Sequence, residues 1–172
     1  MAATKESMKV AVEEEFQRNL AHYFTLYCNF TQEKCWDPDF RLCQLRIESA
    51  TVGPPPKVTF RFTTVPEMCN NNGDIHGGCA TTYIDALTTV LLATMSQPGF
   101  YSQFGVSRNL SITFFKPIHR GTDVRLVCTV VNAGKRLAAL RAELYRVDTG
   151  ELCVMGKNDK VNTDPKVPVQ KL

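Results

Sequence analysis

Residues 79–95, Cys-Ala-Thr-Thr-Tyr-Ile-Asp-Ala-Leu-Thr-Thr-Val-Leu-Leu-Ala-Thr-Met, place apolar or small side chains on every side of the helix they would form. Such a helix has no face to give to water, so the rest of the chain must enclose it. A bilayer does not answer that need, because the segment holds Asp85 and five threonines and is followed by strands that need a water-soluble fold. Asp85 is therefore an acid in the middle of the most apolar helix of the chain. Two readings are open. On the first, Asp85 faces solvent along a polar stripe with Thr81, Thr88 and Thr89. On the second it is enclosed, where an unpaired carboxylate is costly and where such groups tend to be used for their charge.

The flanking sequence supplies the enclosure. Val12, Phe16, Leu20, Phe24 and Tyr27 recur at three- and four-residue steps, which predicts an amphipathic helix over about 8–27. An aromatic, turn-rich stretch follows around Cys35-Trp36-Asp37-Pro38. The period then changes to two: Cys43, Leu45 and Ile47 predict one strand, and Val58, Phe60 and Phe62 another, with Gly53 and Pro54-Pro55-Pro56 between them. Asn70-Asn71-Asn72-Gly73-Asp74 has the chemistry of a loop. The apolar helix runs from Gly77 to about Met95 and is stopped by Pro98-Gly99. Strands are expected near 105–115, 122–133, 135–147 and 151–161, with hairpin-like turns at Asn132-Ala133-Gly134 and Asp148-Thr149-Gly150. Helix, two strands, enclosed helix and strand meander together predict an α+β fold. We expect one domain over 1–162 and a flexible tail over 163–172, which carries Pro165 and Pro168.

Composition narrows the partners. The 172 residues suffice for one compact core, and a net charge of +3 gives no argument for nucleic acid. Seven irregularly spaced cysteines point to reduced thiols and offer no paired ligand spacing for zinc, so no metal is expected. Glu6, Glu13, Glu14 and Glu15 argue against a transit peptide. Gln170-Lys171-Leu172 is similar to a peroxisomal tripeptide but lacks its small first residue. The expected compartment is the cytoplasm, with mitochondria and peroxisomes as alternatives, and no membrane partner is expected.

His76-Gly77-Gly78 stands where the polar loop meets the apolar helix. A first helical turn has free N–H groups and a positive dipole end, and two glycines let an acyl group approach them. That arrangement could stabilise the oxyanion formed when a thioester carbonyl is attacked. Asp85 lies eight residues beyond Gly77, or about 12 Å along one helix. A general base must come within about 3 Å of its target, or act through one water. Asp85 cannot serve the Gly77 amide of its own chain on those terms. Two copies with antiparallel helices would bring one Asp85 to the other Gly77, so the chemistry predicts a dimer.

The joint pattern Asn70-x-x-Gly73-x-x-His76-Gly77-Gly78 with Asp85 in the following helix resembles hotdog-fold acyl-CoA thioesterases of the phenylacetate-pathway type, in the 4-hydroxybenzoyl-CoA thioesterase superfamily. Gly105-Val106-Ser107, Ile112-Thr113-Phe114-Phe115-Lys116-Pro117 and Gly134-Lys135 extend the resemblance, which covers Asn70 to Lys160. It implies a curved antiparallel sheet around the central helix, and a homodimer with sites at the interface, often doubled into a tetramer. By the same resemblance the Gly77 amide polarises the thioester carbonyl, and the partner's Asp85 is the general base or the nucleophile. Asn70 and Ser107 orient water or substrate, and His76 supports the acyl group or the loop. Lys135, Arg136, Lys157 and Lys160 become candidates for the phosphates of CoA, which enters as part of the substrate and not as a cofactor. The first 65 residues depart from the pattern, and Asp74 adds a charge to the catalytic loop without an assigned role.

Three rival readings remain. Cys69 or Cys79 with His76 would make a thiol nucleophile, although neither has a visible orienting partner. A hotdog-fold acyl-CoA hydratase or dehydratase would also use a histidine and an acid across a dimer. A non-catalytic acyl-CoA or acyl-carrier binding module would be expected to lack the acid or Asn70, and both are present.

Overall fold

The computed structural model describes residues 5–30 and 40–165. The expected turn at 35–38 and the last seven residues of the expected tail lie outside them. Helix α1 spans Lys5–Phe30, β1 Arg46–Thr51, β2 Lys57–Thr63, α2 Gly77–Ala93, β3 Val106–Phe114, β4 Asp123–Ala133, β5 Leu137–Arg146 and β6 Leu152–Val161. The strands form one antiparallel sheet in the order β1-β2-β4-β5-β6-β3, so β1 and β3 are its edges.

Alternation decides which face of the sheet is covered. Val58, Phe60 and Phe62 on β2, Val124, Leu126 and Cys128 on β4, and Leu140, Ala142 and Leu144 on β5 are all buried. These period-two sets point to one side. Helix α2 contacts β3 through β6 on that side and buries Ile84, Leu87, Leu91 and Leu92 there. Helix α1 covers part of the remainder: Phe16 and Leu20 are buried, Phe24 stacks on Phe60 at 5.9 Å and Tyr27 meets Phe40. The α+β architecture is the expected one, and the helix apolar on all sides is enclosed by sheet and second helix. Among the described residues no helix is long and apolar enough to cross a membrane.

Gly156 sets how closely α2 and β6 approach. A Cβ at Gly156 would lie 2.8 Å from Ile112 Cδ1 and 2.9 Å from Ile84 Cγ2, well inside van der Waals contact. Only glycine lets Ile84 settle on β6, and Asp85 is the next residue of the helix.

Two boundaries differ from expectation. The first strand begins at Arg46, not Cys43. Residues 40–44 form a turn that ends at Gln44 with φ 55°, and Cys43 is buried from that turn, its thiol bonding the Phe40 carbonyl at 3.3 Å. Its burial mimicked strand alternation. The expected tail is also fastened at its start: the Asp164 carboxylate accepts hydrogen bonds from Ser102 N at 2.7 Å, Ser102 Oγ at 2.8 Å and Gln103 N at 3.0 Å.

Candidate active site

Two polar clusters lie along α2. The first is at its N-terminus. Asn70 Oδ1 accepts from Asn72 N at 2.9 Å and Asp74 N at 3.3 Å, while Asn70 N donates to the Asp74 carbonyl at 2.8 Å. The loop is thus an Asx-type turn closed on itself. It is also tied to the segment before β4, because Ile75 N donates to Ile118 O at 2.8 Å and Arg120 N to Gly73 O at 2.9 Å. The Asp74 carboxylate, unassigned by the sequence, pairs with the His119 imidazole across this seam.

His76 is the N-cap of α2, its Nδ1 accepting from Gly78 N at 2.9 Å. That bond satisfies one of the free amides of the first turn and leaves the Gly77 N–H, which has no intrahelical acceptor. Beside Gly77 is an open groove of about 370 Å³, bounded by Asn70, Phe114, Phe115, Lys116, Ile118 and Val154. The Phe114 ring faces Gly77 so closely that a Cβ there would sit 3.3 Å from Cζ. A side chain at position 77 would press on that ring and occupy the approach to the amide.

The second cluster surrounds Asp85. Ser107 Oγ donates to Asp85 Oδ1 at 2.5 Å, and Asn158 Nδ2 donates to the same oxygen at 2.9 Å. Asn158 Nδ2 also reaches Thr88 Oγ1 at 2.9 Å. Lys160 Nζ donates to Thr89 Oγ1 at 2.8 Å and to Ser107 Oγ at 3.2 Å. The two threonine hydroxyls donate back to helix carbonyls, Thr88 to Ile84 O and Thr89 to Asp85 O, each at 2.7 Å. Their lone pairs are therefore turned to Asn158 and Lys160. Asp85 does share a stripe with Thr88 and Thr89, but the stripe faces β6 and β3: the threonines are 0% and 8% exposed.

The basic candidates do not gather in one place. Lys135 and Arg136 line a groove of about 940 Å³, where Asn162 Nδ2 fastens the backbone by donating to Gly99 O and Lys135 O. Lys157 is exposed on β6, paired in register with Ser111 and Arg141. Lys160 requires a correction. It is 3% exposed, on the inward side of β6, and its ammonium is committed to Thr89 and Ser107. It is not available to a phosphate arriving from solvent.

Cys69 and Cys79 line a separate groove with His76 and Met68. Burial pushes the Cys79 thiol up to about 12, and burial likewise raises Cys69. Neither holds a thiolate at neutral pH, and His76 Nδ1 is occupied as a helix cap. This is poor ground for a thiol nucleophile.

The thioesterase superfamily sequence profile matches residues 72–153. Human acyl-coenzyme A thioesterase 13 is 30% identical over 106 residues, which cover 62% of this chain and 73% of the relative. The chain belongs to the thioesterase superfamily. Its fold is that of solved members: zebra fish thioesterase superfamily member 2 superposes with a TM-score of 0.68 at 24% identity, over 80% of this chain and 94% of that one. The PaaI protein of the E. coli phenylacetic acid degradation operon does so with a TM-score of 0.62 at 15% identity, over 86% and 98%. The sheet and its enclosed helix are thus the hotdog architecture.

Within this thioesterase, Asn70, His76 and Gly77 share one end of α2, and Asp85 and Ser107 share its middle. Asn158, Lys160, Thr88 and Thr89 complete the Asp85 cluster and were missed as a set by sequence reasoning. A signal existed. On β6 the inward series Val154, Gly156, Asn158, Lys160 turns from apolar to polar where it passes Asp85, and buried polar groups need partners.

Proposed function

We propose that the protein hydrolyses acyl-CoA thioesters to free acid and CoA at a site shared between two copies of the chain. The observation that carries this reading is the separation of the two clusters on one helix. The Gly77 amide and its groove stand two turns before the hydrogen-bonded Asp85 carboxylate, beyond the reach of proton transfer within one copy. A second copy whose α2 runs antiparallel brings each half to the other.

Strand β3 is suited to that pairing. It is an edge strand, and Val106 and Phe114 on it are 54% and 52% exposed. The unpaired backbone groups of an edge strand are a template for another strand. Antiparallel pairing of two β3 strands has a two-fold axis, continues the sheet and sets the α2 helices antiparallel. Two such dimers could then join as a tetramer.

In the assembled site the Gly77 N–H, at the positive end of α2, receives the thioester oxygen. The partner's Asp85 takes a proton from water as the water oxygen bonds to the acyl carbon. The C–S bond breaks, and the thiolate of CoA leaves and is protonated. Asp85 as the attacking nucleophile would give the same products through an anhydride. Asn70 holds the loop before Gly77, Ser107 orients the carboxylate, and the groove beside Phe114 and Phe115 offers apolar surface to the acyl group. Lys135 and Arg136 are the candidates for the CoA phosphates. The name of human acyl-coenzyme A thioesterase 13 and the coenzyme A in a Streptococcus pneumoniae thioesterase of the same fold support this substrate class.

The test is complementation. Asp85→Ala removes the carboxylate. Gly77→Pro removes the amide hydrogen at a first helical position whose backbone suits proline, and because the proline ring also presses on Phe114 the variant is first checked for a folded dimer. Each homogeneous variant should release no thiol above background from a panel of CoA thioesters. A verified heterodimer of the two retains one complete site and should recover up to half of the wild-type rate. Absence of recovery in that heterodimer would sink the shared site. Release of enoyl isomers or hydrated acyl-CoA in place of free thiol would favour the hydratase reading.

A further inference from the structure

We propose that Lys160 is a positioning residue for this hydrolysis: its enclosed ammonium, acting through the Ser107 hydroxyl, supplies the counter-charge beside the Asp85 carboxylate and keeps that carboxylate aimed. The inference rests on Asp85 being the base or nucleophile, as proposed above.

Lys160 is an expensive residue where it stands. A buried ammonium costs several kcal/mol unless an anion and hydrogen bonds compensate, and β6 could have presented another apolar residue inward. Its bonds to Thr89 at 2.8 Å and Ser107 at 3.2 Å supply two acceptors. The anion is Asp85, one hydroxyl away, since Ser107 Oγ lies 2.5 Å from Oδ1. Burial pulls the ammonium below its ordinary range, and Asp85 is the charge that works against this. Arg108 on β3, Arg141, Glu143 and Arg146 on β5, and Lys157 and Asp159 on β6 carry the other charges of the surrounding strands. None of them makes a hydrogen bond or ion pair with Asp85 or Lys160 among the described residues. The pair is thus internal to the cluster.

The geometry divides the labour. Asn158 and Ser107 both bond Asp85 Oδ1, which fixes the carboxylate in one orientation and leaves its second oxygen outside these bonds. Lys160 bonds neither oxygen directly. It can therefore favour the anion without consuming the lone pairs that take a proton from water. A lysine placed directly on the carboxylate would compete with the water instead.

The experiment uses the full chain with Lys160→Met and Lys160→Gln, the second keeping a polar side chain without the charge. At neutral pH kcat should drop at least tenfold in both variants, with KM changed less than twofold, and the acid side of the kcat/KM profile should differ from that of the wild type. Folded variants with the wild-type kcat and the wild-type pH profile would overturn the proposal. So would a loss confined to KM and sensitive to salt, which would return Lys160 to phosphate binding. A separate arm needs no Lys160 variant. In Asp85→Asn protein, 15N NMR of the Lys160 ammonium should find deprotonation at a lower pH than in wild type, and an unchanged titration refutes the coupling. Wild-type thiol release by Asp85→Asn would instead remove the base assignment, and the NMR arm still reads the pair.

Discussion

Gly156→Ala tests whether the fold places the base by the closeness of α2 to β6. The added Cβ would lie 2.8 Å from Ile112 Cδ1 and 2.9 Å from Ile84 Cγ2, against an ordinary carbon contact of about 3.5–4.0 Å. Ile112 can swing its terminal methyl aside. Ile84 cannot clear Cγ2 without moving the helix, so α2 must retreat by roughly 0.5–1 Å. Such overpacking costs about 1–3 kcal/mol, and for a chain of this size each kcal/mol lowers Tm by about 2–4 °C. The same retreat stretches the 2.9 Å bond between Asn158 and Asp85 past hydrogen-bonding range. A misplacement near 1 Å costs about a hundredfold in rate. We therefore expect Tm to fall by about 2–12 °C and kcat by about 10- to 100-fold in the protein that remains folded. Differential scanning calorimetry and free-thiol detection with a CoA thioester measure the two effects on one preparation. Gly53→Ala is the control, because its Cβ meets nothing within 4 Å. If Gly156→Ala melts as wild type, the contact does not set the helix position. If it melts early but turns over at the wild-type rate, Asp85 is positioned by something other than α2 against β6.

Other outcomes follow from single contacts. His76→Ala should cost about 1 kcal/mol in urea denaturation through the lost cap, His76→Asn should restore most of it, and both should keep substantial hydrolysis, since the ring is committed to Gly78 N. Cys79→Ala and Cys69→Ala should release thiol within a factor of a few of wild type; a collapse of kcat in either would revive the thiol nucleophile. Arg61 binds Asp123 in three bonds and also reaches Glu48, which Arg125 holds as well. Hydrogen bonding to Arg125 lowers Glu48, and hydrogen bonding to Arg61 lowers Asp123, both below the ordinary carboxylate range. Depressed carboxylates give stability that is present above their unfolded values and is lost as pH falls through their folded ones. Arg61→Met should therefore lower stability near pH 7, by an amount kept small by solvent screening. The difference from wild type should close in urea melts as pH falls below the ordinary carboxylate range and through the depressed folded values, and a gap that stays constant with pH would assign the loss to packing.

What could be read from the sequence was what short-range geometry governs. The extent of α2 follows from its composition and the Pro98-Gly99 stop, and the exposed Gly77 amide from its place at a helix start. The inner faces of β2, β4 and β5 follow from strict alternation. What could not be read depends on which side chains meet across elements. Cys43 satisfied an alternating pattern while sitting in a turn, because burial alone does not distinguish the two. Lys160 becomes a phosphate candidate through the family resemblance, and nothing local contradicts that, because a strand lysine is usually solvated. Counting inward from Val154 in steps of two places Lys160 under the sheet, but Cys153 and Val154 are both buried, so the apolar pattern does not fix the phase of β6. Gly156 fixes it. A glycine facing a helix marks the point of closest approach, and the residues two and four places beyond it on the same face are then committed to whatever that helix carries. Here the helix carries Asp85, and Asn158 and Lys160 are the residues that meet it. Asp85 and the side chains that hydrogen-bond around it thus follow from one packing constraint, whereas the proposed meeting of Asp85 with Gly77 calls for a second chain, as the eight-residue spacing along α2 already implied.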